Sequence, residues 1–589
     1  MAVACLAAPS LGCGALVVEH SSRHIRSVPL GNSLGVAALA KCAEGDPRNH
    51  RQAMIDDSDG WSKAESIEFD NHVNNKSFEI VNYRDKPTDR KLVNFTWVYK
   101  RKRDGRMKAR LCVQGCSMVH GVDYDQTFCA TMRGGSLRLL AAVAASNGLR
   151  MRRWDFVAAY LQGALLDGET VYCRPPPGME ERFKGQVFKV IKPIYGMAQA
   201  GRRWQRTLFP WMKEHGFTQM EQDPCVFVKR DGADVLIVGC YVDDLFVLHS
   251  TDKPGSLYPT FIKSLQKDFS VEDEGEISDL LSIQIERQSD GVFLHQRPYI
   301  ERMVATYFPD GPPSRYQARQ APCGPELPQL VADALLLDPS TDIPSVRAYQ
   351  SIVGALLYCA TNTRPDVAYA VGMLCRCMAR PTPALYDAAG RVLCYLYHHR
   401  HIGLYYQDDP EPLHGMSDSD WAVKHSTTGW LYKYMRAAIS WASTKQPTIA
   451  LSTCEAEIMA LSDASKEAVH LGRFIAELGY APAEDPVLLR TDNTGALALS
   501  YNPENHAKVK HIDRRHFWVR ELVEEFKVTV RFVATVDNLA DFFTKPLAPS
   551  QFYAMRDKIM NVTPDIARRA ARATRATGHA RWVTGVGGC

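Results

Sequence analysis

The sequence predicts a multidomain chain of mixed α and β structure, α+β and α/β in class, and three observations carry that expectation. Between His50 and Ile300, strand-like and helix-like segments alternate along the chain. From Pro309 to Pro344, eight prolines fall among few apolar clusters, which reads as a linker or an extended surface crossing. A second alternating body runs from about Leu404 to Pro546. A length of 589 residues suits three or more domains, each able to bury its own core.

Taken in order, residues 1–50 are rich in Ala, Gly, Ser and Cys and lack periodicity, so this segment is expected to be low-complexity and disordered. Its apolar start has no basic flank, which argues against a signal peptide. Residues 51–300 form the first body and 301–403 a linker with helices. There "YQSIVGALLYCATNTRPDVAYAVGMLCRCMARP" reads as two packed helices broken near Arg364-Pro365, because proline disfavours helix before it. Residues 404–550 form the second body. The segment 551–589 is a basic tail, whose "ARRAARATRATGHAR" holds five arginines and no acids. Hydrophobic content of 46% and charged content of 23% are ordinary for a globular protein. Sixteen cysteines without a CxxC pair point to reduced thiols, not a disulfide scaffold or zinc module. No apolar run is long enough for a membrane span. The net charge of +4 is too small to name a partner, so local charge has to be read instead.

The most informative stretch is "VLIVGCYVDDLFVL", where Asp243 and Asp244 interrupt a strongly apolar run. Asp231-Gly232 makes a turn between "CVFVK" and "DVLIVGCYV", and a second tight turn falls at Val242-Asp243-Asp244. The acids then sit at a hairpin tip, at the end of a buried sheet. A third acid, Asp155 in "RMRRWDFVAAYLQGAL", ends a strand-like run in a comparable setting. Carboxylates held together repel unless cations neutralise them. Hard divalent ions take oxygen ligands and keep positions for substrate phosphates. Two such ions, roughly 3.5–4 Å apart, can stabilise both oxygens of a phosphoryl transfer. Read this way, the acids are a metal platform; a solvent-facing Asp-Asp turn is the plainer alternative.

At these residues the chain resembles the polymerase and ribonuclease H region of copia-type LTR retrotransposon polyproteins. The resemblance covers roughly residues 50–550, in one order, through "WVYKRKRDGRMKARL", "GVDYDQTF", "IYGMAQAGRRW", "YVDDLFVL", "NTRPDVAYAV", "SDSDWA", "ISWASTKQPTIALSTCEAEIMAL", "TDNTGALAL", "KHIDRRHFWVREL" and "NLADFFTKPL". It implies a right-hand polymerase with fingers and palm at 51–300 and thumb and connection at 301–403, followed by a ribonuclease H-like mixed-sheet domain. It implies that Asp155, Asp243 and Asp244 form the metal-binding triad. Tyr160 matches the position that crowds the sugar 2′ group, and Gln199 the glutamine lining the nucleotide pocket, while Gly196 permits a close turn. The run Lys100 to Arg110, with seven basic residues in eleven, resembles the fingers hairpin, in which Lys108 and Arg110 would meet the triphosphate. Two departures stand out. Leu281-Ser282-Ile283 replaces the family's Leu-Gly-Ile, and Ala-Gly-Arg-Arg follows Gln199 where the family has Ala-Pro.

In the second body the resemblance implies four further acids as metal ligands. Asp418 ends one strand, Glu457 lies in a strong helix, Asp492 ends "PVLLRTD", and Asp541 follows the strand "VTVRFVA". The family match favours Asp418 over Asp420. Between Glu455 and Glu457 the helix itself decides. Ser452 and Glu455 fit a capping box, whereas stepping back from the stripe Leu461, Ala464, Ala468, Leu471 reaches Glu457. His511 is a candidate for proton transfer or product release, or a structural histidine.

The implied cofactors are Mg2+ or Mn2+, two ions per active site. The implied partners are an RNA template, a DNA primer, an RNA-DNA hybrid and deoxynucleoside triphosphates, with no membrane. Oligomeric state stays open. The implied location is cytoplasmic, in a virus-like particle, with a nuclear phase. With no zinc knuckle, integrase or protease motif, the chain reads as the C-terminal portion of a polyprotein. A rival reading is an inactive remnant that only binds nucleic acid.

Overall fold

The structure is a computed structural model that describes residues 46–568 apart from 102–104, 317–319, 422–424, 502–517 and 567. The first body is built around a six-stranded antiparallel sheet. Its order is Val271–Glu276, Arg150–Phe156, Asp244–His249, Asp234–Tyr241, Val226–Asp231 and Thr218–Gln219. Its two central strands are mostly apolar between their ends because both faces are covered. Ile237, Phe246 and Leu248 join the core of the helix Gly134–Ser146 on one side. Their neighbours Leu236, Val238, Leu245 and Val247 meet Trp204, Leu208 and Phe261 on the other. A two-sided sheet explains the long apolar run.

A separate core holds the fingers. There the helix His50–Asn74 packs against the hairpin of Phe95–Arg101 and Met107–Val113. Fingers join palm where the Val113 N–H donates to the Tyr195 carbonyl at 2.8 Å. Gly196 follows with φ +90°, and a Cβ there would lie 2.2 Å from the Val113 oxygen, so only glycine fits.

The proline-rich stretch is not a plain linker. Pro328 and Pro344 lie in the first turns of the helices Leu327–Leu336 and Ile343–Asn362, where a missing N–H costs nothing. Leu327, Val331 and Ala334 are buried in the main core. The helix pair does break at Arg364-Pro365, between Ile343–Asn362 and Ala368–Cys375. Arg364 and Asp366 form a fully buried ion pair there, and the Tyr395 hydroxyl also donates to Asp366 at 2.7 Å.

Two expected boundaries move. Leu404–Gln407, expected to open the second body, pairs with Gly291–His295 from the first. The tail expected from residue 551 begins later, because the helix Pro549–Met560 buries Phe552, Met555 and Ile559. One continuous core runs from the first sheet through the connecting helices into the C-terminal sheet.

That second sheet has the order Ala437–Lys445, Thr427–Tyr434, His414–Asp420, Val487–Thr491, Val528–Phe532. The first three strands are antiparallel and the last two run parallel to His414–Asp420 and to each other. The helix Thr453–Glu477 covers one face. The expected mixed α and β class holds: a six-stranded antiparallel sheet in the first body, then a five-stranded mixed sheet in the second. Among the described residues no helix is long and apolar enough to cross a membrane.

The hairpin joining Asp279–Leu280 to Ile283–Gln288 turns through Leu281 and Ser282, with φ +54° and +60°. Two positive φ values in a two-residue loop call for glycine or asparagine, and neither is present. The Tyr358 hydroxyl donates to the Leu281 carbonyl and holds the turn from the connecting helix. Ser282→Gly is therefore expected to stabilise the chain by about 1 kcal/mol. Urea unfolding checks this, and an unchanged or lower midpoint would refute it.

Candidate active sites

The first site is set by strand register. Asp244 lies directly opposite Asp155 on the neighbouring antiparallel strand, and the Tyr241–Asp244 pair closes a two-residue turn through Val242 and Asp243. Val242 has φ +58°, a conformation that a β-branched residue resists. Contacts from two sides hold it. Trp204 Nε1 donates to the Val242 carbonyl at 2.6 Å, and the Phe156 N–H donates to the Asp243 carbonyl at 2.9 Å. The surroundings over-determine the strained turn, as is common at functional sites.

Burial, reinforced by Asp243 and Asp244, pushes the Asp155 carboxyl up to about 6. Burial also raises Asp244, against the opposing pull of Arg153. Arg153 lies two residues before Asp155 on the same strand face. It donates to Asp244 Oδ1 from Nε at 2.9 Å and reaches the same oxygen from a terminal nitrogen at 2.8 Å. It also donates to the Asp279 carbonyl at 3.3 Å, so one cation links the acid pair to the strained hairpin.

Beside the acids, the Tyr160 ring packs against Tyr195 at 4.8 Å between centroids, and the Arg110 guanidinium lies 5.0 Å from the Tyr195 ring. Burial pushes the Tyr195 phenol up to about 12. Lys108 is exposed two residues from Arg110, on the same face of the fingers hairpin. Gln199 is fully buried just before the helix Ala200–Glu214. Its amide donates to the Asp123 carbonyl at 3.1 Å, and its Oε1 finds no hydrogen-bond partner. The Arg202-Arg203 departure stays away from the acids. Arg203 pairs with Glu169, and Arg202 donates to the Phe128 carbonyl at 3.1 Å.

The second site gathers Asp418, Asp492 and Asp541, each offering a carboxylate oxygen within 4.8 Å of the others. Glu457 reaches them from the helix, its Oε1 accepting the Ser419 N–H at 3.2 Å. Burial, with Asp541 as the first neighbour, pushes Asp418 up to about 7. Burial plus Asp418 and Asp492 pushes Glu457 up to about 9. Glu457 Oε2 and Asp541 Oδ1 are buried with no hydrogen-bond partner. Orphaned acceptors among repelling carboxylates suit divalent cations, so the donor set fits the expected metals. Glu455 is occupied elsewhere, accepting the Leu451 N–H at 2.6 Å. Asp420, two residues along the strand, is not among the gathered acids. His511 lies outside the described residues.

Sequence reasoning passed over Arg153, Tyr195, Thr544 and Lys545. Thr544 Oγ1 donates to Asp418, and Lys545 Nζ lies 2.9 Å from Asp541 Oδ2. The i,i+4 spacing from Asp541 to Lys545 was the available signal.

These raised carboxyls set a pH dependence. Each folded value lies above its unfolded one, so the stability they contribute is complete below the ordinary carboxylate range. It is lost as pH rises through about 6 for Asp155, 7 for Asp418 and 9 for Glu457. Metal-free protein should melt at steadily lower temperature between about pH 5 and 9, and added Mg2+ should raise the melting point most at the alkaline end. Scanning calorimetry with and without Mg2+ checks this; a magnesium effect independent of pH would contradict it.

Residues 75–308 match the family "Reverse transcriptase (RNA-dependent DNA polymerase)". The chain is 32% identical over 516 residues to the Retrovirus-related Pol polyprotein from transposon TNT 1-94 of Nicotiana tabacum, covering 84% of this chain and 37% of that protein. It is also 32% identical over 533 residues to the Pol polyprotein from transposon RE1 of Arabidopsis thaliana, covering 89% and 35%. The expected resemblance to copia-type Pol polyproteins is thus matched by sequence similarity over most of the chain. The chain spans little more than a third of the length of these relatives. Among solved structures, the foamy viral protease-reverse transcriptase in complex with RNA/DNA hybrid is similar at TM-score 0.44 and 12% identity, over 80% of this chain and 54% of that one.

Proposed function

We propose that this chain is an RNA-directed DNA polymerase that also cleaves RNA in RNA-DNA hybrids, with a two-metal phosphoryl-transfer site in each sheet. The observation that supports the reading best is the register pairing of Asp155 with Asp244 at the tip of a strained hairpin, inside the family-matched segment. Asp155, Asp243 and Asp244 would hold the ions of the first site, and Asp418, Glu457, Asp492 and Asp541 those of the second. When bound, Mg2+ or Mn2+ would neutralise charge developing on the attacking and leaving oxygens.

The chain's own residues do the remaining work. Lys108 and Arg110 face the triphosphate as counter-charges. The Tyr160 ring, backed by Tyr195, narrows the space at the sugar 2′ position. Gln199 lines the nucleotide pocket. The primer 3′-hydroxyl attacks the α-phosphate in line and pyrophosphate leaves. The second cluster directs water at a phosphate of the RNA strand.

Purified protein should extend a DNA primer on an RNA template and shorten the RNA of a hybrid, both only with divalent metal. Binding of the duplex without either reaction would favour the inactive-remnant reading instead.

A further inference from the structure

The palm helix Gly134–Ser146 starts at a seam where three parts of the chain meet, and one guanidinium spans it. Arg138 is only 6% exposed. Its Nε donates to the Ile439 carbonyl at 2.7 Å. One terminal nitrogen donates to the carbonyls of Thr361 and Asn362 at 2.8 and 2.9 Å. Those two oxygens close the helix Ile343–Asn362, at its negative end, where acceptors lack partners within the helix. The guanidinium also lies 4.2 Å from the Trp441 ring, and Trp441 Nε1 donates to the Ala360 carbonyl at 2.8 Å. Palm, connecting helix and C-terminal strand thus share one cation.

The seam around it is tight. Arg133 meets His470 at 3.2 Å, and His470 meets Gln222 at 3.1 Å. Glu477 Oε2 accepts the N–H groups of Glu221 and Gln222 at 3.0 and 3.3 Å. The buried Glu467 accepts from Ser440 at 2.6 Å and lies in the field of Arg133 and Arg138. Interdomain contacts that allow motion are usually smaller and more polar than a shared core, and here the core runs unbroken across the seam. Each side carries one carboxylate cluster. The helix bearing Arg138 packs on the sheet of Asp155 and Asp244. The strand holding Ile439 and Trp441 lies two strands from Asp418.

We propose that Arg138 is the positioning residue that fixes the spacing between the two clusters, so that RNA is cut at one set distance behind the primer end. The proposal rests on the two-site reading above. A planar fork satisfies three carbonyls and stacks on an indole at once, which an ammonium cannot do.

The test has two arms. Spin labels are attached through introduced keto amino acids at the exposed positions Lys263 and Arg473, one on each body. The unsubstituted chain should give one narrow distance distribution, and Arg138→Ala a broadened one. On a hybrid with a recessed primer, cleavage should lose its single set of positions and spread, while primer extension continues. An unchanged distance distribution, or unchanged cut positions, in a folded Arg138→Ala chain overturns the proposal. If that variant fails to fold by circular dichroism, Arg138→Lys decides by the same readouts. If the unsubstituted chain cuts no RNA, the two-site reading falls, and the spin-label distances still decide the joint.

Discussion

Asp155→Asn is expected to lower primer extension on an RNA template by at least about a thousand-fold, while cleavage of RNA in a hybrid continues. Asp155 sits opposite Asp244 in register, and its carboxyl is pushed up to about 6 by burial and by the two neighbouring acids. An amide keeps the shape and removes a charge that the metal-free fold resists. The variant should therefore fold at least as stably as its parent at neutral pH, and the loss is one of chemistry. Asp492→Asn should do the reverse, because its oxygen belongs to the other cluster, with Asp418 and Asp541. Neither cluster lends a ligand to the other, although both bodies share one core. Paired assays on one preparation, with melting curves for each variant, check this. Parallel loss of both activities in either variant would show that the clusters are not independent in chemistry.

The first cluster was legible because local pattern and fold agree. Two apolar strands and a two-residue turn leave the acids only one place, the sheet's tip. What escaped depended on contacts distant in sequence. Arg153 looks like one more charge in a basic run until strand pairing brings Asp244 beside it. Arg138 reads as a surface residue of an ordinary helix, since its three carbonyl partners lie more than 200 residues away. The proline-rich stretch misled for a different reason. Composition counts prolines, but helix formation depends on position, and at the first turn proline is tolerated. The helix Pro549–Met560 was hidden beside the arginines that follow it, whose composition dominated the reading of the tail. The strand Leu404–Gln407 has the right type but an unexpected partner, because nothing local tells a strand which sheet to join.

Glu457→Gln is expected to remove RNA cleavage by at least about a thousand-fold, and Glu455→Gln to leave it nearly intact. The two residues are two positions apart on one helix and face different work. Glu455 sits in the first turn. Its N–H donates to the Ser452 hydroxyl at 3.1 Å, and its carboxylate accepts the Leu451 N–H. Glutamine can accept the same bond, so the cost is helix stability of about 1 kcal/mol or less. Glu457 turns inward, where one oxygen holds the Ser419 N–H and the other is buried without a partner. Its carboxyl is pushed up to about 9 by burial and by Asp418 and Asp492. A neutral amide there relieves that repulsion. The metal-free Glu457→Gln chain should accordingly lose less stability than its parent as pH rises toward about 9, even as it stops cutting RNA. Cleavage rates and pH-dependent melting of both variants give four readouts from two proteins. Loss of cleavage in Glu455→Gln with activity kept in Glu457→Gln would place the wrong glutamate in the cluster, and the helix-face argument would fall with it.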